Sequence, residues 1–280
     1  MIIYVELQII LFFAKNNYLD SAYLDKDEIK KKLNLKPNKK TGIIFSHILY
    51  DVIFAYGDGY FDNYYRWLGE TIKIISKFNN TQWILKLHPS NIWRGEVSKQ
   101  LKDKYEEIRV IHEYVGKIPS NLKIVDQSIK ILPNSLMSLC DLGITVRGTS
   151  GIELATMGKK VITLGKGRYE KYNFTNFCEN LEEYRELLED FEKNNYEKFL
   201  NTNDVLKKSN IFYYGLFFLR QIKIPFVKVT HKKFVVAKKY DNLNYLYDKN
   251  FKDNLVDLRK YIFSEDYERF EKQIFNGVPK

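Results

Sequence analysis

Apolar runs suited to buried strands alternate along the chain with segments in which apolar residues recur every three or four positions. The mostly apolar run 42–50 is followed by residues 61–78, where apolar side chains at 61, 64, 65, 68, 72 and 75 have the period of an amphipathic helix. Strand patterns that alternate with helix patterns indicate βαβ units and a parallel sheet. We therefore predict an α/β fold built on a Rossmann-like, doubly wound parallel sheet.

The same alternation continues to about residue 222. The other predicted strands are 81–89, 109–115, 128–134, 142–146 and 159–165. The other predicted helices are 25–33, 95–108, 135–141, 151–157, 180–193 and 204–222. Beyond this region the pattern becomes strand-like and basic, and then helical. We predict three segments, which are an N-terminal segment and linker (1–40), a Rossmann-like domain (41–222) and a C-terminal tail (223–280).

The first residues of the chain are apolar but interrupted. Residues 1–18 carry Glu6 and Gln8, and the apolar run stops at Lys15, short of the ~20 residues that a spanning helix needs. They also lack the basic start and the small-residue cleavage site of a signal peptide. We predict a buried strand or helix here, or a segment whose packing partner lies elsewhere.

Composition excludes disorder and suggests an anionic partner. Hydrophobic residues make up 45% and aromatic residues 15% of the 280, and the formal net charge is +10. Most of the basic residues are lysines in a chain also rich in Asn, Ile, Tyr and Phe, and no arginine-rich tract occurs. We therefore predict no nucleic-acid partner. Cys140 and Cys178 have neither metal nor redox spacing, which favours a reducing, cytoplasmic setting.

One junction between a predicted strand and a predicted helix, at residues 147–151, has two interpretations. In the first, Ser150 and Glu153 form a capping box and Gly158 ends the helix, which requires no ligand. This interpretation leaves Arg147, Gly148, Thr149 and Gly151 unexplained.

In the second interpretation the junction is a phosphate cradle. A helix N-terminus that follows a strand offers free N–H groups and a partial positive charge. Gly148 and Gly151 let a ligand approach the backbone, Thr149 and Ser150 add hydroxyl donors, and Arg147 adds charge. No Gly-Lys-Ser/Thr follows, so the junction is not a P-loop.

A second candidate lies at the end of the predicted strand 81–89. A lone histidine on an apolar strand is commonly a core residue, but His88 stands at the carboxyl end, before Pro89 and Ser90. Ligands of doubly wound folds bind at these strand ends, and a histidine there can donate a hydrogen bond to a phosphate.

Three further loops are weaker candidates. Gly165 and Gly167 lack the rest of a dinucleotide fingerprint, and Tyr169 after them either covers a ligand or belongs to an ordinary loop. Residues 57–59 (Gly-Asp-Gly) form either a turn or a glycine loop at the floor of the cleft, and residues 126–127 can point at the same cleft. His47, His112 and His231 show no ligand spacing, and we predict no metal site and no Ser/His/Asp arrangement.

Together, "LKLHPSN" and "CDLGITVRGTSGIELATMGKKVITLGKGRYEKYNF" resemble bacterial capsule polysaccharide biosynthesis proteins. These are GT-B-type glycosyltransferases that include the Kdo transferases and, more distantly, bacterial sialyltransferases. The resemblance covers about residues 40–222. It implies that His88-Pro89 and Thr149-Ser150 match the two motifs that flank the phosphate of the donor nucleotide. It also implies that Glu153 approaches the donor ribose, in conflict with a pure capping role, and it leaves the role of Arg147 open.

The resemblance further implies a function. The substrate would be a nucleotide-sugar, with a CMP-linked donor as one candidate and no separate cofactor, and the acceptor a capsule polysaccharide or a lipid-linked chain at the inner face of the cytoplasmic membrane. The predicted nucleotide- and phosphate-binding residues are His88, Pro89, Ser90, Arg147, Gly148, Thr149, Ser150, Gly151, Glu153 and Tyr169.

Only the C-terminal, donor-binding half of a GT-B enzyme is matched. About forty residues precede the domain, too few for a second Rossmann-like domain, and the catalytic base stays unassigned. Three interpretations of the chain remain open. It is a fragment, one half of a split pair in which a partner chain supplies the acceptor domain, or a reduced protein. The alternative is a non-catalytic nucleotide-sugar-binding or assembly module of capsule biosynthesis.

Overall fold

The computed structural model describes residues 24–49, 60–91 and 105–219, together with two short strands at 227–229 and 234–236. The chain divides into two compact units, one formed by residues 17–210 and the other by residues 1–16 with 211–280. The predicted N-terminal run 1–18, the glycine loop 57–59 and the end of the C-terminal tail lie outside the described residues.

The larger unit is built on a six-stranded parallel sheet with the order β3-β2-β1-β4-β5-β6. Its strands are β1 (Lys40–Phe45), β2 (Thr81–Lys86), β3 (Leu122–Val125), β4 (Leu142–Thr145), β5 (Lys160–Thr163) and β6 (Asn176–Phe177). The predicted α/β, Rossmann-like parallel sheet is confirmed.

Helices separate the strands along the chain. They are α1 (Lys26–Lys32), α2 (Tyr64–Ile75), α3 (Glu106–Val115), α4 (Pro133–Leu139), α5 (Thr149–Thr156), α6 (Leu181–Lys193) and α7 (Thr202–Tyr214). Gly158 has a φ of +70° just beyond α5, in the left-handed region that glycine favours, so the predicted helix stop there is confirmed.

The helices cover both faces of the sheet. Side chains alternate along each strand, so neighbouring residues face opposite sides. Ile44 pairs with Ile144 and joins a core cluster that includes residues of α2, α3 and α6. One position earlier, Ile43 pairs with Gly143, over which Leu154 of α5 packs so closely that a Cβ would lie 2.3 Å from its Cδ1. The helices that follow β1 and β4 therefore lie on opposite faces.

Two predicted strands are wrong, because short runs of β-branched residues do not distinguish a strand from a buried helical segment. Residues 109–115 belong to α3, which buries Val110 and Ile111 and ends at Gly116 with φ +76°. Residues 128–134 hold part of a 3₁₀ turn and the start of α4, while the strand lies earlier, at 122–125. The predicted helix 95–108 lies largely outside the described residues.

In the smaller unit, the described part of the tail contains an antiparallel pair. Strands β7 (Val227–Val229) and β8 (Phe234–Val236) pair with Lys228 opposite Val235. This fits the strand-like pattern of the sequence beyond residue 223. Across the residues that the structure describes, no helix has the length and apolar character needed to span a membrane.

Candidate functional site

The candidate site lies where β1 and β4 are neighbours in the sheet although they are not consecutive in the chain. Because α2 and α5 leave these strands toward opposite faces, the carboxyl ends of β1 and β4 flank a crevice, the usual ligand site of doubly wound folds. His47 follows β1, His88 follows the neighbouring β2, and Arg147 follows β4. Three basic side chains from separate parts of the sequence are therefore brought to one edge of the sheet.

The N-terminus of α5 opens at this crevice without a side-chain cap. Gly148 is the N-cap residue, and Thr149 and Ser150 are the first two helical residues, both partly exposed. The predicted capping box of Ser150 and Glu153 is therefore wrong, because the helix begins too early for those two positions to be N-cap and N3. The Glu153 carboxyl is instead hydrogen-bonded to the Thr149 side chain, while burial raises its pKa.

Gly148 and Gly151 keep the turn into α5 compact. A Cβ at Gly148 would lie 2.8 Å from Thr145 Oγ1, and one at Gly151 would lie 2.4 Å from the Tyr169 hydroxyl oxygen. The Gly148 N–H donates to Thr145 Oγ1 at 3.2 Å. The conformation of the turn therefore depends on two positions without side chains.

Tyr169 supports this turn from inside the protein. Its ring is 3% exposed and stacks on Phe174 with centroids 5.5 Å apart. Its hydroxyl donates to the Gly148 carbonyl oxygen at 2.8 Å. The predicted covering residue is thus placed beneath the turn, where it holds the backbone that presents the first N–H groups of α5.

Arg147 extends along the loop after β5. A Cβ at Gly165 would lie 2.9 Å from Arg147 Nε, and one at Gly167 would lie 3.2 Å from Arg147 Cβ. The guanidinium carbon lies 6.0 Å from the centroid of the Tyr64 ring, within cation–π range. The Gly-x-Gly pair at 165–167 therefore makes room for the arginine side chain.

His88 lies at the start of a helical turn that includes Pro89, Ser90 and Asn91. The Ser90 N–H donates to His88 Nδ1 at 3.2 Å. A backbone N–H can only donate, so Nδ1 is the unprotonated nitrogen and the neutral ring carries its proton on Nε2. His88 thus has the tautomer that donates from the outer end of its ring.

A buried carboxyl group joins the loops that carry the two histidines. Glu107 at the start of α3 is fully buried, and its Oε1 accepts from the Ser46 hydroxyl at 2.9 Å and the His88 N–H at 3.1 Å. The same oxygen accepts from Asn91 Nδ2 at 2.6 Å, and Nδ2 also donates to the His47 carbonyl oxygen at 2.8 Å. Glu107 and Asn91 therefore fix the chain after β1 relative to the chain after β2.

Burial shifts the pKa values of the ionisable groups around this network. It raises the pKa of Glu107, although hydrogen bonds from Asn91, Ser46 and the His88 backbone oppose the rise. It also lowers the pKa of the Lys86 ammonium to about 8, despite the nearby Asp126 and Glu107 carboxyls.

His47 is a site residue that sequence reasoning missed. Its Nε2 lies 2.9 Å from Thr145 Oγ1 and accepts from the Val146 N–H at 3.0 Å, so the ring bridges the ends of β1 and β4. The His47 ring stacks on Tyr64 with centroids 4.4 Å apart. Its bonded partners lie about a hundred positions away in the sequence, so no local spacing could have revealed it.

Asp126, another candidate from the sequence, accepts hydrogen bonds from neighbouring residues of the fold. It follows β3 and accepts from the Tyr105 hydroxyl at 2.8 Å and the Ser128 N–H at 3.0 Å. Burial raises its pKa, but hydrogen bonds from the Ser128 hydroxyl, the Tyr105 hydroxyl and the Ser128 N–H, together with the nearby Lys86 ammonium, hold the pKa below the usual value. Within the described residues, no group of three His, Cys, Asp or Glu side chains is placed to hold a metal ion.

No protein-family model matches the chain, and no curated protein matches it. Among solved structures, it is similar to UDP-GlcNAc 2-epimerase from Neisseria meningitidis bound to UDP-GlcNAc, with 11% identity and a TM-score of 0.40 over 76% of this chain and 51% of that chain. It is also similar to KpsC, a beta Kdo 2,4 transferase from Thermosulfurimonas dismutans, with 15% identity and a TM-score of 0.31 over 56% of this chain and 50% of that chain.

A third similar structure is the wall teichoic acid polymerase TagF, with 12% identity and a TM-score of 0.32 over 68% of this chain and 45% of that chain. The chain thus spans about half the length of the structures it matches. With identities and TM-scores this low, the fold assignment rests on the parallel sheet itself, and the function must be argued from the site.

Proposed function

We propose that the crevice between β1 and β4 binds the phosphate of a nucleotide-activated sugar. The observation that carries this proposal is the uncapped N-terminus of α5, which lies at the crevice together with Arg147 and near His88. A helix N-terminus that presents backbone N–H groups and a partial positive charge is an anion site. The Ser150 hydroxyl would add a hydrogen bond to the same phosphate.

In this proposal the domain is the donor-binding half of a glycosyltransferase of the GT-B type. When the sugar leaves its nucleotide, negative charge develops on the phosphate. Preorganised donors aimed at that charge lower the barrier. Arg147 and the α5 N-terminus would supply this stabilisation, and His88 would donate from Nε2. The resemblance to capsule enzymes supports a polysaccharide or lipid-linked acceptor at the inner face of the cytoplasmic membrane.

Binding is tested by thermal unfolding of the protein with CMP, CDP, UDP and their sugar conjugates. A nucleotide at about one hundred times its Kd adds about 2.7 kcal/mol to the free energy of unfolding, which raises Tm by several degrees. We expect His88→Ala to lose most of this rise. His112→Ala is the matched control, because His112 is exposed on α3, and it should keep the rise. If no nucleotide shifts the Tm of the unaltered protein, the proposal is wrong.

Sugar transfer is tested separately from binding. A glycosyltransferase half should transfer the sugar once an acceptor and an acceptor domain are supplied, with a base from that domain activating the acceptor hydroxyl. Release of free nucleotide that occurs only when the acceptor and the acceptor domain are both present would support transfer. Nucleotide binding with no turnover under the same conditions would instead support the non-catalytic module.

A further inference from the structure

His47 has a defined tautomer because of its bond to the end of β4. The Val146 N–H donates to His47 Nε2, and a backbone N–H has no other role in a hydrogen bond. Nε2 is therefore unprotonated, and the neutral ring carries its proton on Nδ1. Within the described part of the chain, Nδ1 makes no hydrogen bond, so this N–H is available as a donor.

The ring is kept neutral by its surroundings. The pKa of His47 is lowered to about 3, chiefly by burial and also by the nearby His88 and Arg147 side chains. Tyr64 stacks on the ring and Trp67 meets it edge-on at 5.6 Å. An uncharged, fixed donor is therefore present near His88 and the Arg147 guanidinium.

The position of the ring relates it to the start of α5. Its Cε1, the atom between the two nitrogens, would lie 3.5 Å from a Cβ at Gly148, and Ser150 Oγ would lie 3.2 Å from the same Cβ. The His47 side chain is only partly buried. A ligand held by the N–H groups of α5 would thus lie beside the imidazole edge.

We infer that His47 is a ligand-contacting residue of the site, whose Nδ1–H donates to an oxygen of the bound nucleotide phosphate. The inference rests on the proposed nucleotide binding. In this role His47 has two separate functions, since Nε2 ties β1 to β4 and Nδ1 contacts the ligand. Asn91 and Glu107 position it through the His47 backbone and Ser46.

Two substitutions separate these functions. In His47→Gln, the longer amide reaches the place of Nε2 and can accept from the Val146 N–H, but it leaves no donor at the place of Nδ1. In His47→Asn, the shorter amide keeps a donor near Nδ1 and loses the tie to β4. If His47 only tied the strands, the Tm changes would be the same, but His47→Gln would leave the Kd unchanged.

The experiment measures the Kd of CMP, CDP and UDP by calorimetry, and the Tm without ligand, for both variants and the unaltered protein. We expect His47→Gln to keep its Tm while the Kd rises about tenfold or more. We expect His47→Asn to lower the Tm and to keep the Kd within about threefold. A Kd for His47→Gln within threefold of the unaltered protein overturns the inference, even if His47→Asn fails to fold.

The ¹⁵N resonances of the His47 ring give a second test. If His47 only tied β1 to β4, the Nδ1 resonance would not respond to nucleotide. In ¹⁵N spectra of the unaltered protein, we expect His47 to show a protonated Nδ1 whose resonance shifts on addition of a binding nucleotide. An unmoved Nδ1 resonance at saturation overturns the inference and leaves nucleotide binding intact. Failure of the unaltered protein to bind any nucleotide overturns both proposals.

Discussion

At the scale of single residues, the site depends on glycines whose neighbours occupy the space of a side chain. Gly165 leaves room for Val146 and Arg147, with a hypothetical Cβ only 2.5 Å from Val146 Cγ1. The sequence showed Gly165 and Gly167 as an incomplete dinucleotide motif. Their packing against an arginine that follows β4 could not be predicted, because it depends on how β4 and β5 pair.

Gly165→Ala should therefore weaken nucleotide binding by displacing Arg147. We expect a loss of about 1–3 kcal/mol in the free energy of unfolding from overpacking, and a Kd about tenfold higher because a charge-assisted contact moves. The measurements are urea unfolding and calorimetric titration with the nucleotide that binds best.

Gly116→Ala is the matched control for this change. Gly116 has φ +76° and no atom within 4 Å of a hypothetical Cβ, so alanine there costs about 1–2 kcal/mol through backbone strain alone. It should destabilise the protein and leave the Kd unchanged. Equal effects of the two substitutions on the Kd would show that Arg147 does not contact the ligand.

The histidines show how far local sequence reasoning reached. His88 was found because it stands at a strand end beside proline, a signal that lies within a few residues. His47 was missed because its partners, Thr145 and Val146, are adjacent only after β1 and β4 pair. A capping role for Ser150 stayed open beside the phosphate cradle because the sequence does not locate the first turn of α5 to within two residues.

At the scale of elements, the alternation of strands and helices was predictable, and the wrong assignments concern short apolar segments. The predicted strand 109–115 is helix α3, and its start carries Glu107, a buried acid beside the loops after β1 and β2. A sequence gives no sign that an acid in a helical segment is buried, since Glu106 and Glu107 both suit the first turn of a helix.

Glu107 should make the stability of the protein depend on pH. Because burial raises its pKa in the folded state above the ordinary value of 4.5, its contribution is fully present below that value. The contribution is lost as pH rises through the folded pKa. Glu107→Gln, which resembles the protonated acid, should remove this loss. The free energy of unfolding of this variant should therefore rise relative to that of the unaltered protein as the pH increases from 4 to 8.

Urea unfolding across this pH range measures the effect. Glu197→Gln makes the same chemical change at an exposed position and should track the unaltered protein. If the difference in free energy of unfolding between Glu107→Gln and the unaltered protein stays constant with pH, the pKa of Glu107 is the same in the folded and unfolded states and this prediction is wrong.

At the scale of the whole molecule, the strand order creates the site. The order β3-β2-β1-β4-β5-β6 places β4 beside β1, and the crevice lies where these non-consecutive strands meet. The fold class was predictable from alternation, but the neighbours of β1 were not, because several orders of a parallel sheet give the same pattern along the chain. The proposed segments 1–40, 41–222 and 223–280 stay a prediction.

The central claim is that this crevice recognises the phosphate of a nucleotide, and calorimetry with matched ligands tests it most directly. CMP and cytidine, and likewise UDP and uridine, differ only by the phosphate groups. We predict that at least one nucleotide binds and that its nucleoside binds at least about tenfold more weakly, because a charge-assisted contact is lost. Equal affinity for nucleotide and nucleoside, or no binding of any nucleotide, would contradict the account.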